Sequence, residues 1–324
     1  MNPAAKDLEA PMQPLDDALV AELVPRRDSR AHKGDNGRVL VVAGSLDYAG
    51  AGLLSSHAAG RAGAGLVTLA VPRSLQPVVA GRYVEVITVG LPETAPFEVD
   101  PAAAAALIRS LPHDALVVGP GLRHCEATDA LVRLLLGEGG APTVVDAEAL
   151  NVLSRSPGWP RTVHCPCVLT PHPGEFRRLQ PEAEGDLSAD DDLRARLARS
   201  AARAWGQVVV LKGARTVVAD PGGEAARAPF ENPALGSGGT GDVLAGTIGA
   251  LLGQGLDPYA AARLGVYLHG AAGDAIRERL GDSGLLASDL PGEIALVRRR
   301  LASLRDRRTG GTRRVGFSMP DEIA

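Results

Sequence analysis

Apolar residues in this 324-residue chain fall into short unbroken runs, separated by longer stretches in which they recur every three or four positions. The runs at 39–42, 66–71, 84–89, 115–118, 143–145, 168–169 and 208–211 are rich in valine and leucine, as expected of strands buried on both faces. Between most of them, residues 49–62, 101–110, 127–136 and 190–205 carry a helical pattern. This alternation predicts right-handed βαβ crossovers: an α/β fold with a mainly parallel central sheet and helices on both faces. From Gly239 to residue 304 the pattern predicts three or more helices with no strand between them. Residues 1–30 read as a mobile lead-in ending in a small docking helix around the apolar patch 18–24. The arginine- and glycine-bearing stretch 305–324 reads as a disordered tail, which leaves 31–304 as a single domain. The acidic run 182–192 reads as a solvated loop or a helix start.

The unusual residues stand just past the ends of the apolar runs. Ala43-Gly44-Ser45 follows the first, and Gly119-Pro120-Gly121-Leu122 follows 115–118. Asp146 follows 143–145, Thr170-Pro171-His172-Pro173-Gly174-Glu175 follows 168–169, and Lys212-Gly213 follows 208–211. Open parallel sheets bind ligands at the carboxyl ends of their strands, so five such turns predict one site along one edge. Each turn alone is ambiguous. Gly119-Pro120-Gly121 holds backbone close to a ligand or is an ordinary turn. His172, stiffened between two prolines, orients a ligand or caps a helix. Lys212 contacts phosphate or is a solvated hairpin lysine.

The strongest single motif is Asn232-Pro-Ala-Leu-Gly236-Ser-Gly238-Gly239-Thr240-Gly241-Asp242, which runs directly into an apolar stretch of helical length. Glycines permit positive φ and close approach, and a helix start leaves free amides for an anion. Gly239, Thr240 and Gly241 are therefore a candidate anion hole. A carboxylate there repels phosphate, so Asp242 reads as a general base that deprotonates a hydroxyl being phosphorylated. The structural alternative is a first-turn carboxylate favoured by the helix dipole. No Walker loop occurs, and no Rossmann Gly-x-Gly-x-x-Gly follows the first strand.

Composition narrows the partners. A net charge of −4, a pI near 6.0 and 3 % aromatic residues give no basic footprint or stacking platform for nucleic acid. Three cysteines argue against a disulfide framework, and Cys165-Pro166-Cys167 has no second pair for zinc. With no leader pattern and no apolar run of about 18 or more residues, the chain is expected to be cytoplasmic, away from membranes.

Taken in order, His32-Lys33-Gly34-Asp35-Asn36-Gly37, the Gly44-Ser45 turn, Gly119-Pro-Gly-Leu122, Val145-Asp-Ala147, Thr170-Pro-His-Pro-Gly-Glu175, Leu211-Lys-Gly213 and Gly236–Asp242 resemble the ADP-dependent NAD(P)H-hydrate dehydratases, of the ribokinase-like superfamily. The resemblance runs from about residue 20 to 300. It implies dehydration of the S epimer of NADH hydrate and NADPH hydrate, with ADP as co-substrate, Mg²⁺ as cofactor and Asp242 as the base. It implies hydrate contacts at Ala51, Gly121, His172 and Asp242, and nucleotide contacts at Lys212, Gly213, Ala214, Arg215, Thr216 and Gly241. Larger relatives carry an N-terminal epimerase domain, so the short lead-in is expected to mark the stand-alone form, with a separate epimerase as functional partner. Relatives are homo-oligomers, and a tetramer is the expectation here. The rival readings are a vitamin-precursor alcohol kinase of the same superfamily and a non-catalytic nucleotide sensor.

Overall fold

The structure, a computed structural model, describes residues 12–308. Its main sheet has ten strands. In chain order these are β1 (Gln13–Pro14), β2 (Arg38–Val42), β3 (Leu66–Pro72) and β4 (Ile87–Leu91); a separate hairpin of β5 (Glu93–Ala95) and β6 (Glu98–Val99) follows. The sheet continues with β7 (Ala115–Val118), β8 (Thr143–Val145), β9 (Cys167–Leu169), β10 (Val208–Leu211), β11 (Val217–Ala219) and β12 (Ala225–Arg227). Spatially the order is β1-β12-β11-β10-β9-β8-β7-β2-β3-β4. From β10 to β4 every neighbour is parallel, while β11 pairs antiparallel with both β10 and β12. The mainly parallel sheet expected from the pattern is what forms.

The helices are α1 (Asp17–Leu23), α2 (Ala49–Arg61), α3 (Gln76–Val79), α4 (Pro101–Ser110), α5 (Glu126–Gly137), α6 (Glu148–Ser154), α7 (Pro173–Leu179), α8 (Asp191–Trp205), α9 (Thr240–Gly253), α10 (Pro258–Leu280) and α11 (Leu290–Arg308). Side chains alternate across a strand, so each central strand feeds two cores. Val39, Val41, Ala115 and Val117 join a core with α1, α2, α9, α10 and α11. Leu40, Val42, Leu116 and Val118 join another with α4 to α8.

Helix α9 lies against the centre of the sheet and is buried on nearly all sides. Its glycines make that approach possible: a Cβ on Gly246 would stand 2.0 Å from the Ser55 carbonyl oxygen on α2, and one on Gly249 would stand 2.3 Å from Val117. Gly246→Ala is therefore expected to lose more than about 2 kcal/mol in urea unfolding, since the obstacle is backbone that cannot swing aside. A loss below about 0.5 kcal/mol would show that α2 and α9 can slide apart.

Two expectations at the ends of the chain need correction. The small docking helix expected around 18–24 forms as α1 and buries Val20 and Ala21, but the described stretch before it is not a mobile lead-in, since β1 pairs with β12. The Asp17 carboxylate accepts from the Tyr267 hydroxyl at 2.5 Å and pairs with Arg300, so α10 and α11 hold this segment from outside its own sequence. Nor does a tail begin at 305, because α11 runs to Arg308 and the buried Arg305 donates to the Val24 carbonyl. The other parts of those expectations, 1–11 and 309–324, lie outside the described residues. The acidic run ends as a helix start, with Asp190 accepting from the Leu193 amide at the N-cap of α8.

Candidate active site

The strand order reverses between β2 and β7: β3 and β4 lie on one side of β2, and β7 to β12 on the other. Such a reversal opens a crevice at the carboxyl ends of the strands. The turns after these two strands are tied together, with the Gly44 amide donating to the Pro120 carbonyl at 2.8 Å. Gly121, at φ +64°, lies against Ala51 at the start of α2; a Cβ there would come within 2.7 Å of the Ala51 methyl. The expected hydrate contacts Ala51 and Gly121 are thus neighbours at the crevice.

One turn further along α2, the Ser55 hydroxyl donates to the Asp242 carbonyl at 3.0 Å. Asp242 is in the first turn of α9, whose N-cap Gly239 has φ +88° and no side chain to satisfy the amides behind it. Among the described residues, the Gly241 and Asp242 amides find no hydrogen-bond partner. Thr240 is held by its hydroxyl, which donates to the Leu235 carbonyl at 2.8 Å, and by His269 Nε2, which donates to its carbonyl at 2.9 Å. Burial pushes the His269 pKa down to about 4, so this clamp stays neutral and adds no charge beside the anion hole.

Charge is concentrated at the ends of β8, β9 and β10. Lys212 Nζ donates to Asp146 Oδ1 at 2.9 Å and stands 3.7 Å from Glu175 Oε2. The Thr170 hydroxyl, at 2.7 Å, also donates to Asp146 Oδ1. Burial alone would depress the lysine, but these facing carboxylates hold its pKa above the ordinary value. Asp242 shares this neighbourhood. Burial, reinforced by Asp146 and Glu175 and opposed by Lys212, pushes its pKa up to about 7. Ala147, next to Asp146, takes φ +50°, a conformation an L side chain adopts only under constraint.

His172 is the N-cap of α7. Its Nδ1 accepts from the Gly174 amide at 3.0 Å, which leaves the ring proton on Nε2, and its own amide donates to Glu175 Oε2 at 2.8 Å. Burial depresses its pKa, against the opposing pull of Glu175. The structure gives His172 the helix-cap role, and its half-exposed Nε2 stands 3.5 Å from Glu175 Oε1.

Beside Asp242 lies a cavity of about 560 Å³. Lys212, Gly213, Ala214 and Thr216, from the β10–β11 hairpin, form one wall, with Thr240 and Gly241 at its polar end. Phe230, Leu235, Leu244 and Val266 make the opposite part apolar, the mixed lining expected for a nucleotide. Arg215 departs from the sequence expectation. It sits at φ +53° with its half-exposed guanidinium turned to Glu231 (3.3 Å) and Asp191 (3.7 Å), outside this lining. The hairpin is braced by Arg194, wholly buried on α8, which donates to the Leu187 and Ala214 carbonyls. The motifs did not assign roles to Asp146, Glu175, His269 or Arg194. Asp146 and Glu175 lay in plain view beside strand ends, but nothing in the sequence marked His269 or Arg194.

The doubly wound fold is that of the ribokinase-like proteins: a ribokinase-like superfamily protein of Enterococcus faecalis superposes with a TM-score of 0.75 at 26 % identity, covering 90 % of this chain and 96 % of that one. The NAD(P)H-hydrate dehydratase family profile matches residues 39–295, and the chain belongs to that family. A bifunctional NAD(P)H-hydrate repair enzyme of Moorella thermoacetica is 45 % identical over 86 % of this chain and 52 % of its own. The chain thus spans about half the length of the bifunctional relatives it matches. An ADP-dependent (S)-NAD(P)H-hydrate dehydratase of Xanthomonas campestris is 36 % identical over 83 % of this chain and 90 % of its own. The crystal structure of the Bacillus subtilis ADP/ATP-dependent NAD(P)H-hydrate dehydratase, co-crystallised with ATP and Mg²⁺, superposes with a TM-score of 0.76 at 30 % identity, covering 90 % of this chain and 99 % of that one.

Proposed function

We propose that this protein dehydrates the S epimer of NADH hydrate and NADPH hydrate to NAD(P)H, with ADP as phosphoryl donor and AMP and phosphate as products. The observation that carries this reading is Asp242: a partly exposed carboxylate whose pKa desolvation pushes up to about 7, beside unpartnered helix-start amides and across from Lys212. The hydrate bears a hydroxyl on C6 of the nicotinamide ring, and hydroxide is a poor leaving group. Asp242 takes the hydroxyl proton as that oxygen attacks the terminal phosphorus of ADP, and AMP leaves. The ring nitrogen then expels phosphate, and loss of a C5 proton restores the dihydronicotinamide. The amides of Gly239 and Gly241 meet the charge of the transferring phosphoryl group, commonly the largest catalytic contribution, whereas the Thr240 amide, expected in the anion hole, already donates to the Ser237 carbonyl. Lys212 supplies a fixed cation to the phosphates, with Gly213, Ala214 and Thr216 lining the nucleotide. His172 Nε2–H, Gly121 and Ala51 face the dinucleotide. Arg215 enters this scheme only through the hairpin backbone.

Asp146, Glu175 and Asp242 are hard oxygen donors around a single ammonium, a set that suits Mg²⁺ held by one or two carboxylates together with phosphate oxygens. Asp146 and Glu175 would hold the ion, whose chemistry is to neutralise phosphate charge. The proposal extends to a separate epimerase that supplies the S epimer, to a homo-oligomer expected to have the mass of a tetramer in light scattering, and to a cytoplasmic site of action. Among the described residues, no helix is long and apolar enough to cross a membrane.

The test is the near-ultraviolet absorbance of reduced nicotinamide when NADH hydrate and Mg²⁺ are mixed with the protein and ADP, ATP or no nucleotide. A rise only with nucleotide is expected. ADP consumption without a rise would indicate a kinase acting on another alcohol, and ADP binding without consumption would indicate a sensor. The base also has a pH signature: kcat should climb with pH through a limb near 7, as the Asp242 carboxylate forms. A rate flat from pH 5 to pH 9 would remove Asp242 as the titrating base.

A further inference from the structure

Cys165 and Cys167 lie at the entry of β9, at the opposite end of that strand from Thr170 and His172, and take no part in the proposed reaction. Two positions apart on an extended segment, they point to the same side, and their Sγ atoms are 3.5 Å from each other. Both thiols are buried, yet both line a cavity of about 360 Å³ whose rim includes the exposed His164, Pro166, Gly206 and Pro221. We propose that this pair is a peroxide-reactive dithiol that closes to a Cys165–Cys167 disulfide.

The two sulfurs differ in kind. The Cys167 thiol hydrogen bond draws the Cys165 pKa down to about 7, whereas Cys167, deeper and partnered by a developing thiolate, is pushed up. Cys165 is thus the nucleophile and Cys167 the resolving thiol. The Cys165 thiolate attacks one oxygen of hydrogen peroxide. The O–O bond breaks, hydroxide leaves and is protonated, and Cys165 becomes a sulfenic acid. Cys167 releases its thiol proton and attacks Cys165 Sγ; the S–O bond breaks, and the departing hydroxide takes up that proton as water. Two electrons pass from the thiols to the peroxide, giving one disulfide and two waters. Closure shortens the present contact to about 2.05 Å, while the Cys167 backbone stays anchored through its amide, which donates to Gln207 Oε1 at 2.6 Å. The third thiol, Cys125, is the N-cap of α5 and does not line this cavity.

The experiment is thiol titration, intact mass and peptide mapping of the whole chain after hydrogen peroxide. Loss of two of the three thiols, a mass lower by two hydrogens, a linked peptide joining 165 to 167, and recovery with dithiothreitol are expected. Cys167→Ser should trap the sulfenic acid, read as dimedone labelling at Cys165, and Cys165→Ser should keep its thiols at the same dose. Three surviving thiols in the unaltered protein, or labelling confined to Cys125, would overturn the proposal. The peptide map of the unaltered chain decides the matter even if either serine variant folds poorly.

Discussion

Replacing Asp242 by asparagine is expected to leave ADP binding near normal and to lower turnover by more than about 10²-fold, in line with the 10²–10⁴-fold contribution of a positioned base. Asparagine keeps the shape of the side chain and cannot accept the proton. The cavity that would hold the nucleotide is lined by the hairpin, by α10 and by Thr240, Gly241 and Leu244 of α9, and the Asp242 side chain is not part of that lining. The pair of measurements is ADP affinity by calorimetry and single-turnover rate. Turnover within about threefold of the original would remove Asp242 from the role of base.

The same substitution has a stability signature of opposite sign. The folded-state pKa of Asp242 is raised from 3.8 to about 7, so the folded protein keeps a proton that the unfolded chain has already lost. Stability from this group is complete below pH 3.8 and drains away as pH rises towards 7. Above pH 7 the folded protein carries a desolvated charge that asparagine lacks. Asp242→Asn should therefore be the more stable form at pH 8, by up to about 4 kcal/mol, with the difference vanishing below pH 4. A loss of activity joined to a gain in stability would mark a group held in an unfavourable place for its chemistry.

Lys212→Ala is the second large effect. Asp146 is only 2 % exposed, and the lysine ammonium is its one charged partner among the described residues. Removing one member of a buried pair leaves the other uncompensated, at about 3–5 kcal/mol; with the lysine itself 20 % exposed, about 3 kcal/mol is expected in urea unfolding. ADP affinity should fall by about 10- to 10²-fold through loss of a charged phosphate contact. The distinctive readout is the pH limb. Lys212 is the group that opposes the rise of the Asp242 pKa, so without it the limb should move to higher pH. An unmoved limb would show that Asp242 titrates independently of the lysine.

The parallel strands were legible because each is a continuous apolar run, and burial on both faces leaves no other pattern. Helix α9 and its glycine turn were legible for a related reason. Gly239, at φ +88°, is required by local backbone geometry, and a single acid in such a turn has few uses. Local rules also placed Lys212 and His172 beside strand ends. The same rules failed at the chain ends. Residues 12–30 have little periodicity of their own, and their order comes from Tyr267, Arg300 and Arg305, nearly the whole chain length away.

By itself, the sequence determined the layered α/β class, the edge of the sheet that carries the site, and Asp242 as its distinctive acid; each follows from interactions between residues close in the chain. Only the tertiary structure decided which charges meet. Asp146, Glu175 and Lys212 stand on separate strand ends, and their spacing depends on strand order, which no local pattern encodes. It also paired the Arg215 guanidinium with Glu231 and Asp191, placed His269 and Val266 in the cavity wall, and buried Arg194 beneath the hairpin. The raised pKa of Asp242 belongs to this second category, because burial and neighbouring charge are properties of packing, not of the residue.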